Sequence, residues 1–137
     1  MCDAAGIPLA VTIDGANVPD VKLLERTLEA LATPRPAVEH TGEQGVCLDK
    51  GYDAKWVREH LLTEGFVPHV RSRGEEKKQL EPSPGVKARR WVVERSLGWL
   101  NRYRGILVRW CKKPENYLGC LHLACGLVSY QQAGLLG

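Results

Sequence analysis

No apolar run in this 137-residue chain approaches the ~20 residues needed to span a bilayer, so a transmembrane helix is not expected. A secretory signal is missing too: Met1 leads into Cys2 and Asp3, with no basic segment ahead of an apolar core. The five cysteines, at 2, 47, 111, 120 and 125, are odd in number and contain no Cys-x-x-Cys pair. They read as incidental thiols in a reducing compartment rather than as a disulfide framework. The four histidines, at 40, 60, 69 and 122, include no pair four residues apart on a plausible helix, which excludes the usual zinc spacing. Internal repeats and low-complexity tracts are absent as well. A cytoplasmic location is the expectation.

What is present is ordinary in amount and uneven in placement. An apolar fraction of 44% and a charged fraction of 26% suit one compact soluble domain. Residues 1–65 carry eleven acids against six bases, whereas residues 66–137 carry thirteen bases against five acids. Within 86–113 there are nine Lys or Arg and a single acid, Glu94. A solvated basic face would account for this cluster, and so would a surface that binds a polyanion. The aromatics interleaved with the cations favour nucleic acid.

Residues 7–14, Ile-Pro-Leu-Ala-Val-Thr-Ile-Asp, read as a strand, and Gly6 suggests a turn from a preceding strand of which Met1–Ala4 remain. Asp20 stands as an N-cap ahead of the helical pattern Val21, Leu24, Leu28, Leu31. Residues 33–45 read as a loop, and the apolar run 45–48 as a strand ending at Asp49. A helix is expected over about 54–64, with Trp56, Val57, His60 and Leu61 on one face and Gly65 as its C-terminal stop. A strand at 66–70 and an exposed loop at 71–86 follow. A long helix, about 87–110, carries a wide apolar arc that predicts burial, with Val93, Leu97, Leu100 and Leu107 along one stripe and Val92, Trp99, Tyr103, Ile106 and Trp110 beside it. Pro114 ends it, and a last helix runs over about 115–132. The order of strands and helices is that of an α/β domain.

Two carboxylates stand out. Asp49 ends a buried strand, where acids of α/β sheets face the ligand crevice. Capping the next helix is the plainer role, but Asp53 is better placed for it. Glu94 is stacked on its helix face with Arg90, Gly98, Asn101 and Gly105. Each helix-interior glycine costs about 1 kcal/mol relative to alanine. These two leave the face open for a ligand or permit close helix packing, while an Arg90–Glu94 ion pair is the bland alternative. Arg95, Arg102 and Arg109 recur every seven residues as a positive stripe about 100° around the helix from Glu94. Two acids beside a basic surface suggest phosphoryl chemistry with divalent metal, for which hard oxygen ligands suit Mg²⁺. Such a site ordinarily needs three or more carboxylates.

The blocks Gly-Ile-Pro-Leu-Ala-Val-Thr-Ile-Asp-Gly-Ala-Asn-Val-Pro-Asp (6–20), Leu-Asp-Lys-Gly-Tyr-Asp (48–53) and Arg-Arg-Trp-Val-Val-Glu-Arg-Ser-Leu-Gly-Trp-Leu-Asn-Arg-Tyr-Arg (89–104) resemble the DDE transposases of bacterial insertion sequences. The nearest group is the fourth-and-fifth-family assemblage. The resemblance implies an RNase H-like domain, a mixed sheet flanked by helices, in which Asp, Asp and Glu hold two Mg²⁺ (or Mn²⁺) ions that cut and join DNA at element ends. Asp49 matches the second acid and Glu94 the third. Arg90 matches the arginine four residues before the glutamate. Lys87 stands where the family has tyrosine, and Asn101 where it has lysine. Arg90, Arg95, Arg102 and Lys87 are the expected DNA contacts.

The family's first aspartate lies on a strand ahead of the segment that opens this chain, and Asp3 and Asp14 align with the second and third strands. On this reading residues 1–137 are the C-terminal part of the catalytic domain, without the first, central strand or its acid, and inactive alone. That strand's loss would leave two new sheet edges. The implied partners are DNA and either an upstream transposase fragment or a second copy. Two other readings stand beside this one. One is a non-catalytic DNA-binding or partner-binding remnant of a decayed element. The other is an unrelated nucleic-acid-binding α/β module in which Glu94 is merely ion-paired.

Overall fold

The computed structural model describes residues 1–37, 39, 42–70 and 90–134. The loop expected at 71–86, and Lys87 with it, lie outside the described residues. The chain divides into two compact units, one of Met1–Asn17, Leu23–Thr33 and Ala88–Gly137, the other of Val18–Lys22 and Pro34–Lys87.

The second unit is a β–α–β element. Strand β1 (Gln44–Leu48) pairs in parallel with β2 (Phe66–Val70), in register Gln44↔Phe66 to Leu48↔Val70. Parallel neighbours need a crossover, and helix α1 (Lys55–Thr63) supplies it, close to the expected bounds. Of the face expected to pack, Val57 and Leu61 are completely buried, while Trp56 remains 43% exposed. They meet a small core with Val46, Phe66 and Val70. Gly65 takes the left-handed conformation (φ 74°) that stops the helix. The orphan carbonyls at that helix end are met by Arg35, which donates to Glu64 O and, at 3.1 Å, to Gly65 O. The same guanidinium lies 3.6 Å from the Phe66 ring centroid and bonds Gln44 Oε1 at 3.0 Å.

The first unit begins with a turn. Asp3 accepts the N–H groups of Ala5 (2.9 Å) and Ile7 (2.8 Å), Gly6 has φ 89°, and Cys2 pairs antiparallel with Pro8. The expected turn at Gly6 is therefore present. The expected strand at 7–14 is not, beyond that one bridge. The segment has no ladder partner among the described residues, and its contacts run instead to helix α2 (Leu24–Glu29). Thr27 donates back to Leu23 O at 2.7 Å, leaving Thr12 as donor in the 2.7 Å bond between the two hydroxyls. Asp14 pairs with Arg26 at 2.8 Å, and Leu24 and Leu28 are buried. Asp20 does not cap this helix. It opens a 3-10 turn (Asp20–Leu23), and the helix N-cap is Leu23, without a side-chain bond.

The long helix expected at 87–110 is shorter. Helix α3 spans Arg90–Leu100, and the chain turns through Asn101–Tyr103 before a single helical turn, α4 (Arg104–Leu107). The turn is closed by Arg102 N–H to Trp99 O and Tyr103 N–H to Leu100 O. The inward side of α3 is Val92 and Ser96, while Val93 (54%) and Leu97 (53%) are open to solvent, so the expected arc is buried at its Val92 edge and not along its centre. Pro114 starts the next helix rather than ending this one, at the N-terminal position where its missing N–H costs nothing. Helix α5 (Pro114–Gln132) then runs close to the expected 115–132, burying Leu121, Ala124 and Val128.

Among the described residues no helix is long and apolar enough to cross a membrane. The sheet described is two-stranded and parallel, where a mixed one was expected.

Candidate functional site

Asp49 lies at the C-terminal end of β1, as expected, and is exposed. Its backbone is extended, and its carboxylate Oδ1 accepts the Gly51 N–H at 2.8 Å, opening the 3-10 turn Lys50–Tyr52. A Cβ at Gly51 would stand 3.0 Å from that oxygen, so glycine eases the approach. Asp49 therefore caps the 3-10 turn, and neither it nor Asp53 caps α1. Asp53 instead holds Arg58 at 2.8 Å, and Arg58 Nη2 also donates to Val70 O at 3.1 Å, tying the start of α1 to the end of β2. Ala54 is the N-cap of α1 and offers it no side-chain bond.

Capping occupies Asp49 Oδ1 alone, and among the described residues Oδ2 has no hydrogen-bond partner. Beside it stands Tyr52, whose hydroxyl donates to Asp20 O at 3.3 Å. Burial first, then the charges of Asp20 and Asp49, push the Tyr52 phenol above its ordinary pKa.

Glu94 belongs to the other unit, on the exposed side of α3 opposite Val92 and Ser96. One turn on, a Cβ at Gly98 would meet nothing within 4 Å. Among the described residues Gly98 thus leaves the face open and serves no close packing. Asn101 and Gly105 do not continue this face, because the helix has ended. For the same reason Arg95, Arg102 and Arg109 are not a stripe on one helix. Arg95 stacks on Trp91 (4.3 Å) and Trp99 (5.8 Å) and donates to Ala5 O at 3.4 Å. Arg102 lies exposed in the turn, and Arg109 follows α4. Arg90 is the first residue of α3, and its side chain, like Lys87, lies outside what is described.

Sequence reasoning missed the contact that positions α3. Ser96, buried in the helix, donates to Gly6 O at 2.6 Å, with Val92 O at 3.1 Å. A Cβ on Gly6 would meet Ser96 Oγ at 3.2 Å and Val92 O at 3.3 Å. The glutamate-bearing helix is therefore latched to the N-terminal turn, 90 residues away in sequence. A lone serine in a helix carries no signal of such a partner.

The early acids are engaged structurally. Asp3 builds the first turn, and Asp14 is held below the usual carboxylate range by the Gly15 N–H and by Arg26. Among the described residues no three His, Cys, Asp or Glu gather as a metal site. Asp49 and Glu94 each offer the hard oxygens that Mg²⁺ or Mn²⁺ takes, so the donor type of either fits such an ion.

Residues 46–130, which include both acids, match the family described as the transposase DDE domain, and the chain belongs to that family. It is 32% identical over 130 residues to a Burkholderia cepacia protein assigned as the transposase for insertion sequence element IS402. The match covers 93% of this chain and 59% of that protein, so the chain spans less than two thirds of its relative's length. No solved structure shows significant similarity to the chain.

Proposed function

We propose that the chain is the C-terminal part of an RNase H-like catalytic domain of an insertion-sequence transposase of the fourth-and-fifth-family group, with Asp49 and Glu94 as its second and third metal-binding carboxylates. The observation that carries this reading is the placement of both acids within the matched family region, each solvent-exposed, one at a strand end and one beside a glycine that leaves its face open. Divalent ions held there would activate water and then a DNA 3′-hydroxyl for in-line attack on phosphorus. The protein's own part is to fix the acids. The Gly51 N–H orients Asp49, and the Ser96–Gly6 latch holds α3 and with it Glu94. Arg90, Lys87 and Arg102 would hold the DNA backbone, while Arg95 combines that role with its packing on Trp91.

The engagement of Asp3 in a turn and of Asp14 with Arg26 supports a further part of this proposal, that the first aspartate comes from outside residues 1–137 and that the chain alone does not cut. The test is cleavage of DNA bearing the element's ends, in Mg²⁺, by the chain alone and together with the rest of the transposase. The expected result is no cutting alone, and cutting by the complete assembly that Asp49→Ala or Glu94→Ala abolishes. Cutting by the chain alone, lost in Asp49→Ala, would overturn the incompleteness. Cutting by an assembly carrying both substitutions would overturn the site.

A further inference from the structure

Between Glu94 and Glu115 the chain has no acid, and Arg102–Lys113 carries five cations: Arg102, Arg104, Arg109, Lys112 and Lys113. All five are exposed. In their midst stands Trp110, 80% exposed, the most open large apolar side chain among the described residues, next to Leu107 (60%) and Val108 (48%). The backbone carrying it is pinned on both flanks. Tyr117 donates to Ile106 O at 3.1 Å, Arg109 Nε donates to Cys111 O at 3.2 Å, and the Arg109 guanidinium lies 5.5 Å from the Tyr117 ring centroid. The indole is thus held out by a fixed segment.

We infer that Arg102–Lys113 is a docking platform for an unpaired base of a DNA strand, with Trp110 as the stacking surface and the flanking cations as backbone anchors. This rests on reading the chain as a DNA-processing transposase and adds a site that none of the matched acids supplies. The choice of occupant follows from charge. A second copy docking symmetrically through this face would set five cations against five. An apolar peptide would cover the indole and leave the cations unanswered. A nucleic acid strand brings phosphates and a planar apolar face together, which is the combination that cationic grooves with exposed aromatics bind. A base inside a duplex has both faces already stacked, so an unpaired base is the one able to lie on Trp110.

The test is fluorescence anisotropy of the 137-residue chain with three labelled probes: a thymidine oligonucleotide, an abasic oligonucleotide of the same length, and a blunt duplex. Trp110→Ala is expected to weaken the thymidine strand about tenfold, with Trp110→Phe recovering most of it. The abasic strand and the duplex should change less than about twofold, since neither offers an unpaired base. Lys112→Gln with Lys113→Gln should weaken all three probes alike and flatten the salt dependence. Loss on Trp110→Ala that is equal for all three probes, or no loss at all while the wild type binds DNA, overturns the platform and leaves the transposase reading standing. Failure of the wild type to bind any probe overturns the platform, whereas the transposase reading stands or falls with cutting by the complete assembly. If Trp110→Ala instead turns a dimer into a monomer at unchanged DNA affinity, the occupant is a second copy and the inference is wrong.

Discussion

Replacing Ser96 by alanine tests whether a single hydroxyl holds the glutamate-bearing helix in place. The hydroxyl is buried and bonds Gly6 O at 2.6 Å. An intramolecular hydrogen bond contributes about 0.5–1.5 kcal/mol net, and a buried carbonyl left without its donor costs about 1–3 kcal/mol. Alanine is the better helix former, by about 0.5 kcal/mol. The latch therefore wins, and Ser96→Ala should destabilise the fold by about 1 kcal/mol. Gly6→Ala should cost more. Its φ of 89° is strained for any residue with a Cβ, and the new atom would crowd Ser96 Oγ at 3.2 Å and Val92 O at 3.3 Å. Because one crowding atom is Ser96 Oγ itself, the double variant should be less destabilised than the two single losses added together. Urea unfolding followed by tryptophan fluorescence gives all three values. A neutral or stabilising Ser96→Ala would show that helix propensity outweighs the latch, and additivity in the double variant would show that the two residues do not meet.

Further expectations concern the two acids and the core around them. Arg35→Ala removes bonds to two helix-end carbonyls and the stack on Phe66, and should destabilise the β–α–β unit by about 2 kcal/mol in thermal unfolding, with Arg35→Lys recovering only part. Asp49→Asn removes a negative charge that helps hold the Tyr52 phenol up; the phenol should then ionise at lower pH, read by ultraviolet titration against Tyr52→Phe. Burial, the larger cause, remains, so the return should be incomplete. Gly98→Ala fills open space on α3 and should stabilise the chain by about 0.5–1 kcal/mol, while lowering DNA cutting by the complete assembly if the Glu94 face must stay open. Asp14, held low by Gly15 N–H and Arg26, adds stability that is present above the ordinary aspartate pKa and lost as pH falls through its lowered value; Asp14→Asn should flatten that acid limb of the stability profile.

The elements legible in the sequence were those whose cause is local. Strands β1 and β2, helix α1 with Gly65 behind it, and α5 follow from short apolar runs, periodicity and a stop signal within a dozen residues. The rest depended on partners far along the chain. The 7–14 segment has strand composition, yet a strand exists only as a pair, and the described residues hold no ladder for it. Helical periodicity runs on past Leu100, but the chain turns there. On α3 the arc was read too wide: only its Val92 edge is buried, beside Ser96, whose bond to Gly6 the apolar pattern does not encode. At the site, the position of Asp49 at a strand end and of Glu94 on an open helix face were both readable. That neither Asp49 nor Asp53 caps α1 was not. Two acids four residues apart look equivalent until Arg58 reaches one and the Gly51 N–H the other.

The proposal that Asp49 and Glu94 serve one metal site is tested most directly by replacing Mg²⁺ with Fe²⁺ and mapping where iron-generated hydroxyl radicals cut the chain. The account predicts two clusters of cuts, around residues 49 and 94, suppressed together by excess Mg²⁺ and by Asp49→Asn. Cuts confined to one of the two, or clusters at both that survive Asp49→Asn, would contradict it.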